Sequence, residues 1–150
     1  MKKGEMLSAA ILFATNAHAN QLDKGGNPYI LHPLTVMHKL KTSDEELQCV
    51  AILHDVVEDT NTTWEDLYRI GMTDRVIKAI MALTKHRGQT YQQYKEAVFG
   101  NTDAMLVKLE DLRTNSDLRR LKGITEKDIA RTAKYMVFYS EIQAKLEALK

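Results

Sequence analysis

Cys49-Val50-Ala51-Ile52-Leu53-His54-Asp55-Val56-Val57-Glu58-Asp59 passes from an unbroken apolar run straight into four ionisable groups. With Leu47 before it, the apolar half carries the spacing of a core helix, so the segment predicts a helix that ends near Thr60. Ser43 and Glu46 have the form of a capping box at its start. Neighbouring positions on a helix diverge by about 100°, so His54 and Asp55 meet at one point only where the helix edge faces a cleft. Glu58 lies one turn from His54 and Asp55, and Asp59 one turn from Asp55. Three carboxylates this close repel one another. Either solvent or a bound cation must compensate them, and Val56 and Val57 argue against a simply solvated face.

The same helical periodicity extends in both directions. A first helix is expected from about Lys3 to Leu22, with Leu7, Ala10, Ile11, Ala14, His18 and Gln21 on one stripe. Asp23-Lys24-Gly25-Gly26-Asn27-Pro28 breaks it. Pro33 places a helix start near His32, and Thr63, Thr73 and Thr125 stand where caps are expected. Tyr91 to Phe99 and Thr102 to Asn115 read as two further helices. The last helix is expected to bury Ile129, Thr132, Ala133, Met136, Val137 and Ile142. No alternating strand pattern accompanies a hairpin turn. The expectation is an all-α, compact multi-helix bundle forming a single domain over residues 1–150.

Composition narrows the functional classes. The 150 residues carry 21 Lys+Arg against 20 Asp+Glu, a net charge of +1. Nothing in that balance calls for a nucleic-acid or membrane partner. No apolar run reaches the roughly 20 residues of a membrane span. Cys49 stands alone and inside the apolar run, which fits a buried thiol in a reducing compartment. The N-terminus imitates a secretory signal, but Glu5 and Ser8 interrupt it. A core helix and a cytoplasmic location are expected, with oligomeric state left open.

Further candidate ligands lie outside the central stretch. His32 sits at a helix start. Asp111 belongs to Val107-Lys108-Leu109-Glu110-Asp111, where one of the two acids must lie near the core. An ion would offset that cost, and so would Lys108 or Arg113. Two imidazoles and two carboxylates make a mixed N/O set that suits Mn, Fe, Co or Zn.

Taken together, Ala17-His18, Pro28-Tyr29-Ile30-Leu31-His32-Pro33, Leu53 to Thr60, and Val107 to Asp111 with Asn115 resemble the HD-domain superfamily of metal-dependent phosphohydrolases. Within it, the chain resembles the hydrolase domain of the RelA/SpoT group and the stand-alone small alarmone hydrolases. The resemblance implies an HD-domain bundle in which His32, His54, Asp55 and Asp111 hold one divalent ion, Mn(II). It implies that Glu58 and Asp59 position or activate the attacking water. It also implies that Lys24, Asn115, Arg131 and Tyr135 contact a nucleotide substrate. Arg113 is a further cation available to steady developing charge.

Two departures stand out. Alarmone hydrolases usually carry Arg-Lys before the Pro-Tyr-Ile segment, the arginine packing on guanine; this chain has Asp23-Lys24. An acid cannot stack as a guanidinium does. After Asp111 the chain reads Leu112-Arg113-Thr114-Asn115, where those enzymes read Arg-Leu-His-Asn. The implied activity is removal of the 3′ diphosphate from guanosine tetra- or pentaphosphate with release of pyrophosphate, by an enzyme that only degrades. A second reading keeps the metal hydrolase and changes the substrate to another nucleotide or phosphorylated metabolite. A third is a metal-stabilised nucleotide-binding module without catalysis. His18 is expected to pack behind the ligands, while His38 and His86 are expected at the surface. Trp64 is read as core, and Arg119-Arg120-Leu121-Lys122 as a solvated helix end.

Overall fold

The computed structural model describes residues 1–150. Nine α-helices follow one another: α1 Glu5–Ala17, α2 Leu31–Lys39, α3 Glu45–Leu53, α4 Val56–Asp59, α5 Trp64–Arg69, α6 Asp74–Leu83, α7 Tyr91–Phe99, α8 Thr102–Asn115 and α9 Glu126–Ala148. A 3-10 turn, Leu118–Arg120, links α8 to α9. The only extended pairing is an isolated bridge between Leu22 and Pro28. The all-α expectation therefore holds.

Helix α3 is the axis of the bundle. Cys49, Val50, Ala51, Ile52 and Leu53 are all fully buried, because α1, α2, α6 and α8 pack around them. A helix apolar on every side is stable only when covered on every side. Burial pushes the Cys49 thiol up to about 12, which makes it inert. Side-chain caps set the helix starts. Thr63, Thr90 and Thr125 close reciprocal capping boxes with Asp66, Gln93 and Asp128, and Thr73 caps α6. Arg75, at the start of α6, pairs with Asp44, Glu46 and Asp103 and so ties the starts of α3 and α8 together.

Several expectations are corrected. α1 ends at Ala17, so His18 and Gln21 lie in the turn after it. The cap of α3 is Asp44, whose carboxylate accepts from the Leu47 N–H; Ser43 is one residue too early. The central helix does not run to Thr60. It stops at Leu53 and resumes as α4 at Val56. On α9, Ile129, Met136 and Val137 face outward at 56%, 43% and 59% exposure, and Ala133 is exposed as well. The buried face is set by Phe138, which makes edge contacts with the rings of Tyr91, Tyr94 and Phe99, and by Ile142. The large aromatic payload decides which side of the helix turns inward.

Candidate metal centre

The break between α3 and α4 builds the centre. His54 Nδ1 lies 2.6 Å from the carbonyl oxygen of Ala51, one turn back. The ring thus competes for a carbonyl that would otherwise continue the helix. His54 keeps helical angles, Asp55 departs to φ −108° and ψ −5°, and α4 begins at Val56. This turn brings two adjacent residues to face one point, which the roughly 100° spacing of a continuous helix disfavours.

His54 Nε2 and Asp55 Oδ2 are 3.0 Å apart. His32, from the first turn of α2, brings its Nε2 to 3.9 Å from Asp55 Oδ2. One ligand atom from each of these three residues fits within 4.8 Å of the others. Asp111, on α8, places Oδ1 2.7 Å from His32 Nε2 and 3.4 Å from His54 Nε2. Segments from α2, the α3–α4 break and α8 therefore converge on one place.

The donors suit a divalent cation. With Nδ1–H given to Ala51, a neutral His54 turns the lone pair of Nε2 toward the site. That nitrogen is buried and has no hydrogen-bond partner. A ring oriented through its far nitrogen is how ligating histidines are commonly held. Surrounding groups orient the carboxylates too. The Tyr29 hydroxyl donates to Asp55 Oδ2. Lys108 Nζ donates to Asp111 Oδ2 at 2.9 Å, and Asn115 Nδ2 donates to Asp111 Oδ1 at 3.1 Å. His18 packs against Tyr29, with ring centroids 4.9 Å apart and planes tilted by 48°, as expected of a residue behind the ligands.

Electrostatics follow from this crowding. Burial works against the Asp111 carboxylate, but Lys108 and the two imidazoles outweigh it and hold the group well below its ordinary range. Burial likewise opposes a charged His54, yet with no cation between them Asp55 and Asp111 raise its pKa above the ordinary value; a bound cation reverses that pull and favours the neutral ring. Burial and neighbouring carboxylates push Glu58 and Asp59 upward. Glu58 Oε1 accepts from the Lys85 N–H at 2.7 Å, which fixes its direction. Burial and Asp55 raise the Tyr29 phenol, so it stays protonated as a donor.

Two hollows meet at Asp59. One, of about 600 Å³, is lined by Lys24, Asn27, Tyr29, His32, Asp59, Asn115, Arg120 and Tyr135. The other, more open and about 1050 Å³, is lined by Asn16, Asn20, Gln21, Glu58, Asp59 and Thr60. Of the substrate-binding expectations, Lys24, Asn115 and Tyr135 line the first hollow. Arg131 sits beside it, paired with Asp128 on its own helix. Burial, then Arg131 and Arg120, lower the Lys24 pKa. Arg113 does not join this group; it pairs with Glu110 at 3.4 Å and is largely exposed.

Tyr29, which orients Asp55, and Arg120, which lines the first hollow, were left without a role by sequence reading, whereas Lys108 pairs with Asp111 as one of the two cations expected to offset its burial. Lys108 had a detectable signal, its three-residue spacing from Asp111. Tyr29 had none, since its partner lies 26 residues away. The basic run at 119–122 is not uniformly solvated: Arg119 is exposed, while Arg120 turns into the hollow.

The family model described as an HD domain matches residues 10–131. The chain is 36% identical over 128 residues to a guanosine-3′,5′-bis(diphosphate) 3′-pyrophosphohydrolase of Danio rerio, covering 77% of this chain and 70% of that protein. It is 34% identical over 122 residues to the enzyme of the same name from Aquifex aeolicus, covering 74% of this chain but only 17% of that longer protein. A solved structure described as a metazoan ortholog of SpoT that hydrolyses ppGpp superposes with a TM-score of 0.75 at 26% identity. That match covers 97% of this chain and 88% of the other.

Proposed function

The chain belongs to the HD-domain family, in the group of the RelA/SpoT-type hydrolases, and from that premise we propose that it is a metal-dependent phosphohydrolase removing the 3′ diphosphate from guanosine tetra- or pentaphosphate as pyrophosphate. The observation that carries this reading is the convergence of His32, His54, Asp55 and Asp111 beside a hollow that Lys24 and Arg120 also line. The ion is Mn(II) in this reading, held by those four residues. When bound, such an ion acidifies water and draws charge from phosphate oxygens.

The chain's own residues supply the remainder. Glu58 and Asp59 take and return the proton of the attacking water, a role that typically contributes about a hundred- to ten-thousand-fold. Their raised pKa values bring them toward the range in which a base both accepts and releases a proton. The water attacks the phosphorus bonded to the ribose 3′ oxygen, the bond to that oxygen breaks, and the 3′ hydroxyl leaves carrying a proton. Lys24 meets substrate phosphate, Asn115 orients both Asp111 and the nucleotide, and Tyr135 and Arg131 contact the sugar and phosphate side. No helix is long and apolar enough to cross a membrane. Together with the single buried thiol of Cys49, this supports a cytoplasmic site of action.

The test is a substrate panel offered to protein loaded with Mn(II). Guanosine 3′,5′-bis(diphosphate) should yield pyrophosphate, and mononucleotides should yield nothing. Orthophosphate from mononucleotides would move the assignment to another phosphate ester. A bound ion with no turnover of any member would leave a binding module.

A further inference from the structure

We propose that Arg120 is a substrate-binding residue of this chain, holding the 5′ phosphate groups of the nucleotide opposite the end that is cleaved. The inference rests on the hydrolase reading above and adds a residue that the resemblance to alarmone hydrolases left unassigned.

Three observations carry it. The first is the loop at 23–27. Asp23 Oδ1 accepts from the N–H groups of Gly25 at 2.8 Å and Asn27 at 2.9 Å, and its own N–H donates to the Asn27 carbonyl at 2.8 Å. The acid at this position closes the loop through Oδ1, and although it lines the hollow, its negative charge gives a phosphate no favourable contact. The second is the way this loop meets the 3-10 turn. A Cβ on Gly25 would lie 2.6 Å from the Arg120 carbonyl oxygen, so only glycine lets the two segments lie this close. The third is the Arg120 side chain. Its neighbour Arg119 points outward and is held by Asp117. Arg120 turns inward, donates from Nη2 to the Asn115 carbonyl at 3.3 Å, and keeps a buried Nε without a partner. No carboxylate pairs with it, and it lines the same hollow as Lys24, His32 and Asn115.

An unpaired guanidinium is costly to bury and is suited to two-pronged recognition of phosphate. The substrate named for the relatives bears diphosphates on two sides of the ribose. If the 3′ group lies at His32, His54, Asp55 and Asp111, the 5′ group needs cations elsewhere. Lys24 and Arg120 are the cations lining the hollow.

The experiment compares wild-type protein with Arg120→Gln, using Arg113→Gln as a control for loss of a surface arginine. Binding of guanosine 5′-diphosphate and of inorganic pyrophosphate is measured by calorimetry on protein loaded with Mn(II). Turnover is measured on guanosine 3′,5′-bis(diphosphate) and guanosine 3′-diphosphate. Arg120→Gln should weaken guanosine 5′-diphosphate at least tenfold while the control binds as wild type does. Its loss in kcat/KM should be at least tenfold for the bis(diphosphate) and no more than about half a decade for the substrate lacking 5′ phosphates. Arg120→Lys, which keeps the charge but not the planar fork, should fall between; it carries the test if the glutamine variant melts early. Equal losses on both substrates would reveal a purely structural role through Asn115 and overturn the proposal. So would unchanged binding of guanosine 5′-diphosphate, or no binding by wild type. Those results would leave the hydrolase assignment standing, because release of pyrophosphate is read separately.

Discussion

The imidazole of His54 is aimed by the carbonyl of Ala51, 2.6 Å from Nδ1, one turn earlier on the same helix. That contact leaves Nε2 buried, unpartnered and directed at Asp55 and Asp111. Replacing His54 with Ala should abolish retention of a stoichiometric ion. Wild-type protein should gain about 2.7 kcal/mol when Mn(II) is at a hundred times its Kd; the variant should gain nothing. Melting curves with and without the ion check this directly.

Tyr29 acts one step further out. Its hydroxyl donates to Asp55, and its ring packs at a tilt against those of His18 and His32. Tyr29→Phe keeps the ring and removes the donor. Ion affinity should fall about 10- to 100-fold, the usual effect of losing a group that orients a ligand, with the fold intact. Competition with a chelator of known affinity measures it.

Glu58 is held by the Lys85 N–H and not by any of the four candidate ligands. Glu58→Gln preserves that acceptor and removes the base. The variant should bind the ion as wild type does and lose about two to four orders of magnitude in kcat. Full turnover would exclude Glu58 from the chemistry.

Lys24 should give the substrate KM a distinctive alkaline limb. Burial, then the nearby Arg131 and Arg120, lower its pKa. A lysine is charged below its pKa, so its hold on phosphate is complete at neutral pH and is lost as pH rises through the lowered value. That loss comes earlier than the ordinary lysine value of about 10.4 would allow. Lys24→Arg remains charged throughout and should flatten this limb. KM measured against pH for both proteins decides it.

On α9, Phe138 and Val137 should behave oppositely although they are adjacent. Phe138 is 1% exposed within an aromatic cluster, and Phe138→Ala should cost about 3–5 kcal/mol. Val137 is 59% exposed, and Val137→Ser should stay within about 0.5 kcal/mol. Urea unfolding of both variants measures these costs.

The same pair shows where sequence reading reached its limit. Helix existence was legible in the caps at Thr63, Thr73 and Thr125 and in the apolar spacing of α3 and α6, since local chemistry sets both. Which side of α9 turns inward was not, because that depends on rings contributed by α7. The candidate ligands were legible as residue types set in ordered motifs. The break that lets His54 and Asp55 converge was not, because it hinges on a side-chain bond to Ala51 that periodicity does not encode. Lys24, Asn115 and Tyr135 line one hollow, whereas Arg131, named with them from the resemblance, does not. Arg120 escaped notice because a run of basic residues does not reveal which one turns inward.

His32, His54, Asp55 and Asp111, from distant segments, are proposed to grip a single ion. Anomalous scattering from crystals grown with Mn(II) tests it most directly. One strong peak per chain is expected, enclosed by His32, His54, Asp55 and Asp111 and missing from crystals of Asp111→Asn. A peak outside that enclosure, or none at all with the metal in excess, would contradict it.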